Sequence, residues 1–100
     1  MINQMGLVGR LVSDPQINET EIGNKICSIT LAVPRSYKNA NGEYETDFIP
    51  VILFNGIAER TTEWCKKGDL VGVKGRIQAK EGKVELMAEK ITFLSSNKEN

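Results

Sequence analysis

Two phenylalanines, Phe48 and Phe54, lie six residues apart in an apolar segment. They therefore share one face if that segment forms a strand. Upstream, Tyr37 lies between two cations, Arg35 and Lys38. An exposed aromatic ring can stack on a nucleic-acid base while a neighbouring cation holds the phosphate. The alternative is that a helix or another subunit buries the rings; it competes most strongly for Phe54, which precedes the predicted helix.

Further basic residues could follow a phosphate chain. Lys74 and Arg76 alternate along one predicted strand, and Lys80 lies beside a short turn. Arg10 projects away from the core face of the first strand. Each could equally be a solubilising surface charge. The 13 basic and 13 acidic residues give a net charge of zero, so only their placement can produce a positive surface.

Residue types that serve catalysis or metal binding are scarce. There is no histidine, which removes the commonest general base and the commonest nitrogen ligand for zinc. Cys27 and Cys65 form neither a metal-ligand cluster nor a disulfide framework. Acidic pairs such as Glu43 and Glu45 lie in predicted loops, where solvated charges explain them. We therefore expect no enzymatic activity, no metal and no cofactor.

Turn signals and apolar alternation place these residues on secondary-structure elements. The predicted elements are strands over 4–12, 25–33, 44–54, 70–78 and 83–94, with one helix after residue 54. Pro34 is expected to end the second strand and to begin a turn-rich hairpin. Asn55 is the expected N-cap of the helix and Gly68 its C-cap, with Trp64 used for packing.

One helix between the third and fourth of five strands, with glycines in the first strand, predicts an OB-fold. This is an all-β, five-stranded barrel of order β-β-β-α-β-β. A chain of 100 residues makes one domain, expected over 1–94, with a flexible end over 95–100. No apolar run reaches the length of a bilayer span, and the N-terminus lacks a secretory signal. A cytoplasmic location is therefore expected, with no membrane partner.

Three long motifs then resemble the bacterial single-stranded DNA-binding protein family, closest to its Gram-positive type. They are LVGRLVSDP at 7–15, ITLAVPRSYKNANGEYETDFIPVILFN at 29–55 and WCKKGDLVGVKGRIQ at 64–78. The resemblance implies sequence-nonspecific binding of single-stranded DNA in replication, recombination or repair, close to the nucleoid. It also implies a homotetramer built as a dimer of dimers.

The resemblance implies roles for individual side chains as well. Base stacking is expected from Tyr37, Phe48 and Phe54. The residues expected to contact phosphates, partly on the family pattern and partly on their position, are Arg10, Arg35, Lys38, Lys67, Lys74, Arg76 and Lys80.

The sequence departs from the family pattern in two places. The hairpin between the last two strands is reduced to Ala79–Lys83 and carries no aromatic residue. The acidic tail tip that recruits replication or repair proteins in the family is not found before Asn100. An accessory OB-fold module of a primosome-like assembly, acting through protein contacts, is therefore the alternative function. Oligosaccharide binding rests on the fold alone.

Overall fold

The computed structural model describes residues 2–96, so most of the predicted flexible end lies outside the described residues. The strands are β1 (Met5–Leu11), β2 (Ile17–Glu19), β3 (Lys25–Lys38), β4 (Tyr44–Phe54), β5 (Leu70–Lys80) and β6 (Lys83–Ser95). The helix α1 (Asn55–Trp64) connects β4 to β5. Among residues 2–96, no helix is long and apolar enough to cross a membrane.

Five of these strands close into a barrel. The sheet runs β1-β5-β6-β4-β3, and β1 closes it by pairing with β3 at Arg10↔Ala32 and Leu11↔Leu31. The contact between β4 and β6 is parallel and short, whereas the other pairings are antiparallel. The predicted OB-fold is confirmed. The short strand β2, which the sequence did not predict, adds to the outer edge of β3.

The barrel interior is filled by alternate residues of its strands. Val51 and Leu53 of β4 are fully buried, and Ile49 packs against the same cluster. Helix α1 contributes Ala58 to this core. Gly9 lies where the barrel closes, and a Cβ atom there would stand 2.8 Å from the backbone oxygen of Ala32.

The prediction that Pro34 ends the second strand is wrong, because β3 continues to Lys38. Pro34 still pairs with Thr46 of β4. Proline lacks a backbone N–H and is tolerated where a strand has only one partner. Strand β1 pairs with β3 only at Leu31 and Ala32, so on that side no neighbouring strand requires a hydrogen bond from the backbone nitrogen of Pro34. Tyr37 consequently lies on a strand and not in the predicted loop.

The predicted ends of the helix are also wrong. Phe54 is the N-cap, and Asn55 is the first helical residue with a φ of 49°. The Asn55 side chain accepts a hydrogen bond from the backbone N–H of Lys25 at 3.0 Å instead of capping the helix. The helix ends at Trp64, with Cys65 as its C-cap, so the two lysines that follow lie beyond its last turn.

Trp64 does not pack as predicted, since 70% of the residue is exposed. It borders a cavity of about 170 Å³ together with Arg60, Ile91 and Phe93. The buried side of α1 is formed instead by Ala58 and Thr61.

Candidate nucleic-acid interface

The outer face of β4 carries the two phenylalanines. Phe48 is 64% exposed and Phe54 is 38% exposed, while Pro50 and Ile52 lie between them on the same face. The intervening Val51 and Leu53 are buried in the barrel. At about 3.3 Å per residue, the two phenylalanines stand roughly 20 Å apart along the strand. They can therefore stack on different bases of one extended strand.

A third aromatic residue of β4, Tyr44, was missed in the sequence. It is 59% exposed and shares the alternation of Phe48, about 13 Å away by strand geometry. The Nζ atom of Lys38 lies 5.8 Å from the centroid of the Tyr44 ring, at the distance of a cation–π contact. Spacings of four and six residues between Tyr44, Phe48 and Phe54 were a usable signal, because both are whole multiples of the two-residue strand period.

Strand register places Arg10 beside Phe48. Phe48 pairs with Ala32 of β3, and Ala32 pairs with Arg10 of β1. Residues that pair directly lie on the same face of a sheet, and adjacent strands are about 4.8 Å apart. The exposed Arg10 therefore lies on the face of Phe48 at a backbone separation of about 10 Å, with only the small Ala32 between them. Its Nη1 donates to the backbone oxygen of Gly68 at 2.9 Å, which fixes the guanidinium.

A second row of paired residues runs from β4 towards β5. Ile52 pairs with Met87 of β6, and Met87 pairs with Arg76 of β5. The exposed Arg76 thus flanks the aromatic face on the side opposite Arg10. Its Nε also lies 3.6 Å from Glu89. Lys74 is exposed two residues earlier on β5 and points to the same face by alternation.

Arg35 is not brought to this face. Its guanidinium pairs with Asp47 at 2.9 Å and with Glu45 at 3.1 Å. Asp47 alternates with Ile49 and Val51, so it lies on the inward-directed face of β4. Hydrogen bonding to Asp47 raises the pKa of Arg35, and the same hydrogen bond lowers the pKa of Asp47.

Tyr37 lies near the end of β3 and is 63% exposed. It belongs to the part of the β3–β4 hairpin that extends past the barrel wall, residues 35–46, which we call the hairpin arm. Because β4 and β6 are parallel, the β5–β6 hairpin extends towards the same end of the barrel. Lys80 precedes the tip of that second hairpin, where Glu81 and Gly82 have φ values of 51° and 79°. These values suit the tight turn that the sequence predicted.

Lys67 lies on the β3 side of the aromatic face. It borders an open polar groove of about 530 Å³ that also contains Asp14 and Ser28. Its backbone N–H donates to Asp14 Oδ1 at 2.7 Å, and Ser28 pairs with Ile52 of β4. Most of the predicted residues are thus arranged around the outer face of β4, whereas the Arg35 guanidinium is held by two carboxylates on the other face.

Comparison with known proteins identifies the group to which this OB-fold barrel belongs. The profile described as "Single-strand binding protein family" matches residues 2–94. Single-stranded DNA-binding protein B of Bacillus subtilis (strain 168) is 50% identical over 80 residues, covering 80% of this chain and 71% of the relative. A single-stranded DNA-binding protein of Staphylococcus aureus (strain MRSA252) is 42% identical over 109 aligned positions, covering 100% of this chain and 70% of the relative.

Fold and surface together define a small OB-fold barrel with an aromatic sheet face flanked by cations. The chain belongs to the single-strand binding protein family. Its relatives from Gram-positive bacteria agree with the type that the sequence motifs indicated.

Proposed function

We propose that this chain binds single-stranded DNA without strong sequence preference. It would thereby coat and protect strands exposed during replication, recombination or repair. The observation that carries this proposal is the outer face of β4, where exposed Phe48 and Phe54 lie between Arg10 on one side and Arg76 on the other. The names of the relatives, single-stranded DNA-binding proteins, support the same conclusion.

In this proposal, Tyr37, Phe48 and Phe54 stack on separate bases of one strand, and Tyr44 adds a further ring. Stacking tolerates any base because every base has a π-face, and each stacked base is worth about 1–3 kcal/mol. The cations that would hold the phosphates are Arg10, Lys38, Lys67, Lys74, Arg76 and Lys80. Binding should therefore weaken steeply as salt is raised, since each neutralised phosphate releases counterions.

We also propose that the protein acts as a homotetramer, a dimer of dimers, in the cytoplasm at the nucleoid, and that it has no catalytic role. The tetramer is supported by apolar side chains left exposed outside the aromatic face. They are Val8, Ile77, Val84, Phe93 and Leu94, each at least 45% exposed. Exposed apolar surface of this kind marks contacts between proteins when it is contiguous. Size-exclusion chromatography with light scattering, with and without oligo-dT, tests the assembly.

Fluorescence anisotropy tests the DNA-binding proposal directly. Labelled oligo-dT of a few tens of nucleotides and a matched duplex are titrated with the protein over a series of salt concentrations. We expect tight, salt-sensitive binding to the single strand and much weaker binding to the duplex. Equal affinity for both, or no binding of the single strand at physiological salt, would reject the proposal and favour the accessory-module alternative.

A further inference from the structure

The backbone ladder of the β3–β4 hairpin is interrupted where the hairpin arm leaves the barrel. Pro34 pairs with Thr46 and Lys38 pairs with Tyr44. Between these pairs, three residues of β3 face Glu45 alone. Such an irregularity leaves backbone groups unpaired and bends the strand. The arm therefore needs contacts other than the regular ladder to hold its direction.

Arg35 bridges this interruption with its side chain. Its Nη2 and Nε donate to the two carboxylate oxygens of Asp47 at 2.9 and 3.1 Å, which is a two-pronged contact. Asp47 pairs with Val33, in the regular part of the ladder before the break. The Nη1 of Arg35 lies 3.1 Å from Oε1 of Glu45, which is inside the break. One guanidinium thus connects the barrel side of the hairpin to the arm.

The contacts continue from Glu45 to the tip of the arm. The other carboxylate oxygen of Glu45 accepts a hydrogen bond from the Asn39 side chain at 3.1 Å. The Asn39 Oδ1 atom in turn accepts from the backbone N–H groups of Asn41 and Glu43 at 2.9 and 3.0 Å. A continuous polar network therefore runs along the arm, from Asp47 to the turn.

This network and the aromatic row occupy opposite faces of β4. Glu45 and Asp47 alternate with Tyr44 and Phe48, so the side of β4 that carries the network is not the side that carries these two rings. A guanidinium already held by two carboxylates would have to leave both to contact a phosphate. The same guanidinium, left in place, fixes the direction in which the arm presents Tyr44.

We infer that Arg35 is a positioning residue, which holds the hairpin arm through Asp47 and Glu45 so that its aromatic residues meet the DNA, and that it is not a phosphate contact. This inference rests on the proposed function, because its binding tests require that the protein binds single-stranded DNA. It also makes a claim about the free protein, since the network should order residues 35–46 before any DNA binds.

The decisive variant is Asp47→Asn. If Arg35 contacted phosphate, this change would release the guanidinium and remove one negative charge, so affinity would rise. If Arg35 positions the arm, affinity falls in spite of the lost negative charge. Glu43→Gln is the matched control, because it removes the same charge from the same arm without touching Arg35. We expect Asp47→Asn to bind oligo-dT roughly threefold to fivefold more weakly than Glu43→Gln, the upper range for an exposed pair.

Substitutions of Arg35 itself separate the two roles by their salt dependence. Loss of a phosphate contact lowers the slope of log K against log salt by about 0.7 for a single strand. We expect Arg35→Gln to weaken binding threefold to fivefold with an unchanged slope. Arg35→Lys keeps the charge but cannot form the two-pronged contact, so it should restore only part of the affinity. A lowered slope for Arg35→Gln, or full affinity for Arg35→Lys, would overturn the inference.

Two further measurements exclude a general loss of folding. Hydrogen exchange of the DNA-free protein should be faster within residues 35–46 of Asp47→Asn and unchanged in the barrel core. In a Tyr37→Ala/Tyr44→Ala background, Asp47→Asn should cost little additional affinity, because both rings that the arm positions are gone. Unchanged exchange in the arm, or fully additive losses, would contradict the positioning role. If the wild-type protein fails to bind oligo-dT, the proposed function fails while the exchange measurement still tests the arm.

Discussion

Replacing Phe48 by alanine tests the stacking surface most directly. Phe48 is 64% exposed on the outer face of β4, and its paired neighbour Ala32 leaves the ring open on that side. Removing a stacked aromatic costs about 1–3 kcal/mol per base. For a ring this accessible we take the middle of that range, about 2 kcal/mol, which corresponds to a loss in affinity of roughly 30-fold.

The structure also predicts what Phe48→Ala should leave unchanged. The barrel core is built from the other face of β4, so the free energy of unfolding should change by less than about 0.5 kcal/mol, as for most surface substitutions. Phe54 is 38% exposed and offers less of its ring, so Phe54→Ala should cost nearer to tenfold in affinity. Because the two rings lie roughly 20 Å apart along the strand, the losses should add in the double variant.

Trp64→Ala provides the matched control. Trp64 is an aromatic residue with 70% exposure, but it lies on α1 beside the small cavity formed with Phe93. Its removal should leave the affinity for oligo-dT within about twofold of the wild-type value. Anisotropy titrations and thermal unfolding of the wild-type protein and the four variants make the comparison. The reasoning is refuted if Phe48→Ala binds as tightly as wild type, or if Trp64→Ala loses as much affinity.

Three other predictions concern separate parts of the structure. Gly9→Ala places a Cβ 2.8 Å from the Ala32 backbone oxygen and should lower the free energy of unfolding by about 1–3 kcal/mol. Gly6→Ala is the control, because its Cβ would lie 3.7 Å from the Val73 backbone oxygen, and it should be less destabilising in the same thermal melts. Lys74→Gln should reduce the slope of log K against log salt by about 0.7, and an unchanged slope would remove Lys74 from the phosphate path. Tyr44→Ala should weaken oligo-dT binding at least fivefold if the row of rings extends that far, and full affinity would end the row at Phe48.

The two faces of β4 could be predicted from the sequence because side chains of a strand alternate strictly. Alternation assigns Ile49, Val51 and Leu53 to the face opposite Phe48 and Phe54, and all three pack in or against the barrel core. The same alternation put Phe48 and Phe54 outside, where both are exposed. The single helix between the third and fourth barrel strands likewise followed from local signals, and it was enough to identify the OB-fold.

The surroundings of the basic residues could not be predicted, because they depend on which strands pair and in what register. Arg35 next to Tyr37 suggested a cation beside a stacked base. Its actual partner, Asp47, is twelve residues away and is brought close by the hairpin. Conversely, Arg10 lies beside Phe48 only because β1 closes the barrel onto β3. Neither relation has a signal in the local sequence.

In the part of the chain that the structure describes, the fold pairs some basic residues with carboxylates and leaves others unpaired. This explains how a chain with a net charge of zero can present a surface suited to a polyanion. Carboxylates form ion pairs with Lys25, Arg35 and Arg76. Within residues 2–96, the side chains of the other predicted phosphate contacts have no carboxylate at ion-pair distance; they are Arg10, Lys38, Lys67, Lys74 and Lys80. Acidic groups thus cancel the total while leaving these five side chains without an ion pair among the described residues, and Arg76 keeps a single contact with Glu89 at 3.6 Å. Because a Debye length of about 8 Å screens distant charges at physiological salt, the local arrangement and not the total determines how a single strand is held.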